Sequence, residues 1–89
     1  MLKFNYTLVN SSNPLAMQLQ SVGWVAGQEA SNIKQGSLLM WNFGHVTEVL
    51  SIDKVTDKYL TITEKPVEGD NDKTYSRKLL KSRLVCIVS

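Results

Sequence analysis

Half of the ten basic residues in this 89-residue chain, Lys73, Arg77, Lys78, Lys81 and Arg83, fall within residues 73–83. No acid lies between residue 73 and the end, so that segment carries +5. Residues 41–72 set three lysines against seven acids and carry −4, and residues 1–40 carry +1. A cation density of that kind can neutralise phosphates, and Tyr75 inside the segment offers a ring on which an exposed base could stack. The same charges also balance the acidic middle of a small surface, so the asymmetry has a structural reading beside the binding one. Trp41 and Phe43, two positions apart and followed by Gly44-His45, would project from one strand face as an aromatic platform, or fill a small core. Trp24, between Gly23 and Val25 in the low-charge half, is a candidate interface anchor.

Catalytic chemistry finds little to work with. His45 and Cys86 are the only residues of their kinds. A general base needs a nucleophile or a carboxylate partner, and no Ser/His/Asp or Cys/His arrangement of recognisable spacing surrounds His45. Cys86 lies within Leu84-Val85-Cys86-Ile87-Val88, the setting of a buried, inert thiol. One Cys and one His do not complete a tetrahedral zinc site. Glu68, Asp70 and Asp72 alternate as calcium ligands do, but Gly69 is misplaced and no glutamate closes the loop, so a solvated loop is expected. Gly-rich phosphate loops, dinucleotide fingerprints and paired catalytic carboxylates are all lacking. The chain reads as non-enzymatic, with no catalytic residues, no metal, no cofactor and no identified small-molecule substrate.

The elements that would position these residues are mostly strands. A mass of 10.0 kDa, 43% hydrophobic and 20% charged residues describe one ordinary globular domain with a small core. Leu2, Phe4, Tyr6 and Leu8 alternate with polar residues, the period of a half-buried strand. Asn10–Pro14 reads as a turn. Residues 15–22 suit either a strand or a short helix, with the strand favoured because Gly23 and Gly27 crowd a helix. Residues 30–36 predict one helical turn, with Ser31 as cap, Ile33 inward and Gly36 ending it at positive φ. Strands follow over Ser37–Phe43, Val46–Ile52, Tyr59–Thr63, Thr74–Leu80 and Leu84–Val88. Pro66–Asp72 is predicted as a loop and Lys81–Arg83 as a tight turn. Glu48 falls on the face of Val46, Leu50 and Ile52, so either a bulge turns it outward or it meets a basic partner such as Arg77.

The run from Ile33-Lys34-Gln35-Gly36 through Gly44, Thr47, Val49 and Ile52, then Tyr75-Ser76-Arg77-Lys78-Leu79 and Leu84-Val85-Cys86-Ile87, resembles an SH3-like barrel. It is similar to the N-terminal barrel of elongation factor P and to ribosomal-type barrels carrying KOW motifs. The words WNFG, TEV, YSRKL and SRLV also resemble small bacteriophage-type proteins. The resemblance implies a five-stranded barrel over about residues 33–88, preceded by an N-terminal strand or hairpin extension over 1–30. No lysine matches the modification loop of elongation factor P; His45 occupies that turn. Residues 1–30 lie outside the pattern.

The function expected from these features is a non-catalytic interaction module, a phage-type accessory acting through protein–protein contacts as an inhibitor or assembly factor. Self-association through the N-terminal strands is its simplest form. The alternative is a nucleic-acid-binding barrel using the C-terminal basic edge. Met1–Val9 lacks the apolar run of a signal peptide, and polar residues interrupt 4–28 too often for a membrane span. The Asn5 and Asn10 sequons read as chance matches, and the lone cysteine agrees with the cytoplasm, of a host cell if the chain is phage-encoded.

Overall fold

The computed structural model describes residues 3–69 and 73–89. Strands β1 (Ala16–Leu19) and β2 (Gly23–Ala26) form an antiparallel hairpin. A two-residue β3 (Gln28–Glu29) leads into a 3-10 turn at Ala30–Asn32. Then come β4 (Leu38–Met40), a second 3-10 turn at Asn42–Gly44, β5 (Val46–Val55), β6 (Tyr59–Pro66), β7 (Tyr75–Leu80) and β8 (Leu84–Val88). The last six strands make one antiparallel sheet in the order β3-β8-β4-β5-β6-β7. The protein is mainly β, and among the described residues no α-helix occurs. Among the described residues no helix is long and apolar enough to cross a membrane.

The apolar run Leu38-Leu39-Met40 does not alternate because β4 is covered on both faces. Leu39 joins Ile33, Val49, Leu60, Ile62, Leu79 and Val85 in one buried cluster. Met40, one residue on, points the opposite way into a second cluster with Leu19, Val25, Val46, Cys86 and Val88. β8 splits its residues in the same manner, with Val85 to the first cluster and Cys86 and Val88 to the second. The β1–β2 hairpin is therefore a lid on the outer face of β4 and β8. Gly27 lets it close: a Cβ there would lie 3.0 Å from the Leu15 carbonyl and 3.2 Å from Leu84 Cβ.

Several expectations are met. The ambiguous residues 15–22 contain β1, Ile33 is buried, and Gly36 has φ +89°. The helical turn itself forms earlier, at Ala30–Asn32, with Glu29 rather than Ser31 at its N-cap and no side-chain cap. The predicted first strand does not join a ladder as one. Residues 3–9 run beside β2 through the isolated Leu8–Val25 bridge, and Asn5 exchanges backbone hydrogen bonds with Ser89. Backbone bonds at Val9 and Ala26 hold the rest in place, Val9 N–H donating to the Trp24 carbonyl and Ala26 N–H to that of Thr7. Asp70 and Asp72, two carboxylates of the acidic loop, lie outside the described residues.

The largest departure is at Ser37–Phe43. β4 stops at Met40, and the chain turns at Asn42–Gly44 with Phe43 left-handed at φ 66°, ψ 15°. Trp41 and Phe43 therefore do not share a strand face: Trp41 packs against the first core while Phe43 stands 62% exposed. Gly44, at φ 76°, continues the left-handed path that lets the chain reverse into β5.

Candidate functional site

The turn after β4 is fixed from several sides. Trp41 N–H donates to the His45 carbonyl at 2.7 Å, and Gly44 N–H to the Trp41 carbonyl at 3.1 Å. Phe43 N–H donates to the Gln20 carbonyl at 2.7 Å, while Gln20 N–H returns a bond to Asn42 Oδ1 at 2.9 Å. The end of the N-terminal hairpin thus clamps the turn. A left-handed conformation costs a bulky residue about 1–2 kcal/mol and persists only where its surroundings over-determine it. These bonds are those surroundings, and their outcome is an aromatic ring held out in solvent.

Trp41 is equally fixed. Its indole N–H donates to Thr47 Oγ1 at 2.9 Å. The Arg77 guanidinium lies over the ring with Cζ 4.0 Å from its centroid, and Arg83 approaches the same ring at 5.7 Å. Arg77 comes from β7, where alternation sends Leu79 into the core and Arg77 to the same side of the sheet. Arg83 comes from the turn before β8. Its carbonyl accepts from Ala30 N–H at 2.8 Å, and the Lys81 carbonyl accepts from Ser31 N–H at 3.0 Å. The first 3-10 turn therefore pins the segment that carries Arg83.

Behind Arg77 stands Glu64, only 1% exposed. Arg77 Nη2 is 3.0 Å and Nε 3.1 Å from Glu64 Oε1, while buried Oε2 has no hydrogen-bond partner among the described residues. Sequence reading offered Glu48 as the carboxylate for Arg77; Glu64 takes that place. In the β5–β6 register Glu48 pairs with Lys65, and Glu64 pairs with Tyr75 on β7 beside Arg77's strand position. The signal was present in the alternation of β6, which carries Leu60, Ile62 and then Glu64 onto the buried face. A carboxylate in that position must find a cation.

These side chains wall a cleft of about 460 Å³ between Met17–Leu19 of β1 and the Trp41–His45 turn, with Arg77 and Arg83 along its side. Among the described residues Arg83 makes no ion pair. The cleft thus combines one uncommitted guanidinium, one guanidinium tied to a buried acid, an exposed phenyl ring and the polar side chains of Gln18, Asn42 and His45. Such a set has the donors to hold an anion beside a flat apolar surface.

Of the residues singled out from sequence, the structure brings Trp41, Phe43, Arg77 and Arg83 together and sends the others elsewhere. Lys78 projects to the opposite face of β7, its Nζ 4.5 Å from the centre of the Tyr59 ring. Lys81 lines a separate groove with Ser31, Ile33, Ile52, Val55 and Leu60. Lys73 and Tyr75 are exposed at the start of β7, and Trp24 is 39% exposed on β2. The basic residues thus do not form one edge. Cys86 is buried, and burial pushes its thiol above the ordinary range. Among the described residues no three potential ligands cluster to hold a metal. No known protein family, curated protein or solved structure matches the chain.

Proposed function

We propose that the chain is a non-catalytic, SH3-like barrel module that docks an anionic partner in the cleft beside Trp41. The barrel reading is supported by the meander β4-β5-β6-β7, by the return of β8 to pair with β4, and by the three-residue turn between β7 and β8. The observation that carries the function is Arg83, a guanidinium without an acid partner among the described residues, set beside an already neutralised Arg77. On a turn whose backbone is pinned by hydrogen bonds and drawn toward the Trp41 ring, Arg83 can take an anion without breaking an existing ion pair. A cytoplasmic, phage-type accessory role accords with a lone, buried cysteine and with the resemblance of its sequence words.

Retention of the full-length protein on phosphocellulose tests the cleft. Arg83→Glu and Lys78→Glu change net charge equally but on different faces. Arg83→Glu is expected to elute at clearly lower salt than Lys78→Glu. Equal shifts would mean that only net charge matters, and the cleft would lose its role.

A second reading, contact with another protein or a second copy, draws on Leu8, Leu15 and Trp24, exposed by 63, 50 and 39% on the N-terminal layer. A dimer mass in light scattering that Trp24→Ser abolishes would support it, and a monomer would oppose self-association.

A further inference from the structure

Resting on the anionic-partner reading of the cleft, we infer that its ligand is single-stranded nucleic acid, with a base stacked on Phe43 and the adjoining phosphate held by Arg83. What selects among ligands is how many charges the cleft has to offer. Arg77 is committed: an incoming anion that took it from Glu64 would leave a 1% exposed carboxylate without its cation, and Oε2 already has no partner among the described residues. Of the two arginines lining the cleft, Arg83 alone has no acid partner among the described residues, so an acidic peptide, which presents successive carboxylates, meets one free cation and then a ring it cannot use. A nucleotide repeats one charge and one flat apolar face, the same pairing that Arg83 and Phe43 present.

The turn is built for such a face. Phe43 is held in the left-handed region by backbone bonds to Gln20 and by the Asn42 side chain, and its ring remains 62% exposed. A ring serving the core would be buried, and a turn chosen for stability alone would carry glycine or asparagine there. Gln18 and Asn42 beside it offer amide donors to base edges. A volume of about 460 Å³ suits a ligand of nucleotide size. Stacking on one ring with one backbone contact is sequence-tolerant, so weak, salt-dependent binding with little base preference is the expected behaviour.

The test is fluorescence anisotropy of labelled oligothymidylate, oligouridylate and oligoglutamate of equal length, titrated with the full-length protein at low and moderate salt. Expected are binding to at least one oligonucleotide, weaker binding to oligoglutamate, and a salt slope reduced by about 0.7 in Arg83→Gln. Phe43→Asn, which suits the left-handed conformation and so keeps the fold, is expected to weaken oligonucleotide binding about 10-fold. Phe43→Tyr is expected to retain it. Preference between the thymidylate and uridylate arms tells DNA from RNA. Oligoglutamate binding as tightly as either oligonucleotide, with Phe43→Asn without effect, overturns the nucleotide assignment and leaves the anionic cleft standing. Loss of oligonucleotide binding in Lys78→Gln but not in Arg83→Gln overturns the assignment by placing the strand on the other face. No binding of any of the three polyanions at low salt overturns the cleft reading itself.

Discussion

Arg77 and Lys78 are neighbours on β7, and each lays a cation over an aromatic ring, at 4.0 Å on Trp41 and 4.5 Å on Tyr59. The two pairs nevertheless belong to different kinds of structure. Trp41 is tied to Thr47 through its indole N–H, and Arg77 is tied to a buried glutamate. Tyr59 and Lys78 are both exposed, and among the described residues Lys78 makes no ion pair. A flexible ammonium near an exposed ring gains little beyond what its lost rotamer freedom costs. A guanidinium held at both ends keeps its plane on the ring, so the cleft wall beside Arg83 stays in place. Proximity of cation and ring is shared; anchoring separates the two, and only the anchored pair walls a cleft with a further free arginine.

Removing one partner should separate the pairs most sharply. Arg77→Met leaves Glu64 without its cation in the interior, and an uncompensated buried charge of this kind costs about 3 kcal/mol. Urea denaturation of the variant is expected to show that loss. A change below about 1 kcal/mol would mean that Glu64 finds water, and the contrast with Lys78 would collapse. Phe43→Asn comes next, with the opposite sign. It relieves the left-handed strain on a bulky residue and is expected to raise stability by about 0.5–1 kcal/mol, while weakening ligand binding. A destabilised Phe43→Asn would give the ring a packing role and remove the main reason to regard it as held out for a partner. Lys78→Ala is expected to change stability by no more than about 0.5 kcal/mol in the same assay. A larger loss would make the Tyr59 pair anchored after all.

Much of this was legible in the chain before folding. The strands from β5 onward form close to where they were predicted, β6 with clean period-2 alternation, the turn at Lys81–Arg83 lies where it was predicted, and Cys86 is buried as its neighbours imply. What alternation does not encode is the number of layers. Ser37–Phe43 looks like one long apolar strand because apolar side chains serve both cores through Met40 and then a turn begins with aromatic residues. The left-handed Phe43 has no sequence signature, since glycine or asparagine usually marks that conformation. The cleft was legible only in pieces. Its arginines and aromatics were recognised separately, and their meeting depends on the long-range contacts of β7 and the Arg83 turn with the end of β4. Glu64, the residue that decides which arginine is free, was visible as an acid in phase with Leu60 and Ile62, but its partner depended on the register between β6 and β7.

A third, milder case lies on the β5–β6 ribbon, where the carboxylate of Asp53 is held by hydroxyls in water instead of by a guanidinium in the interior. Ser51 Oγ donates to Asp53 Oδ1 at 2.7 Å, and Thr63 Oγ1 donates to Oδ2. The Thr63 bond first and the Ser51 bond second hold this carboxyl below its ordinary range, because both donors favour the charged form. A depressed folded-state value stabilises the fold fully above the unfolded carboxylate pKa of about 3.9, and that stabilisation is lost as pH falls through the lower folded value. Thr63→Val removes the larger donor. Its thermal midpoint is therefore expected to lie below the wild type at neutral pH and to converge on it in acid, with a flatter acid limb. Parallel midpoint curves for the two proteins would show that the hydroxyls do not hold the charge, leaving the buried Glu64–Arg77 pair as the fold's anchored carboxylate.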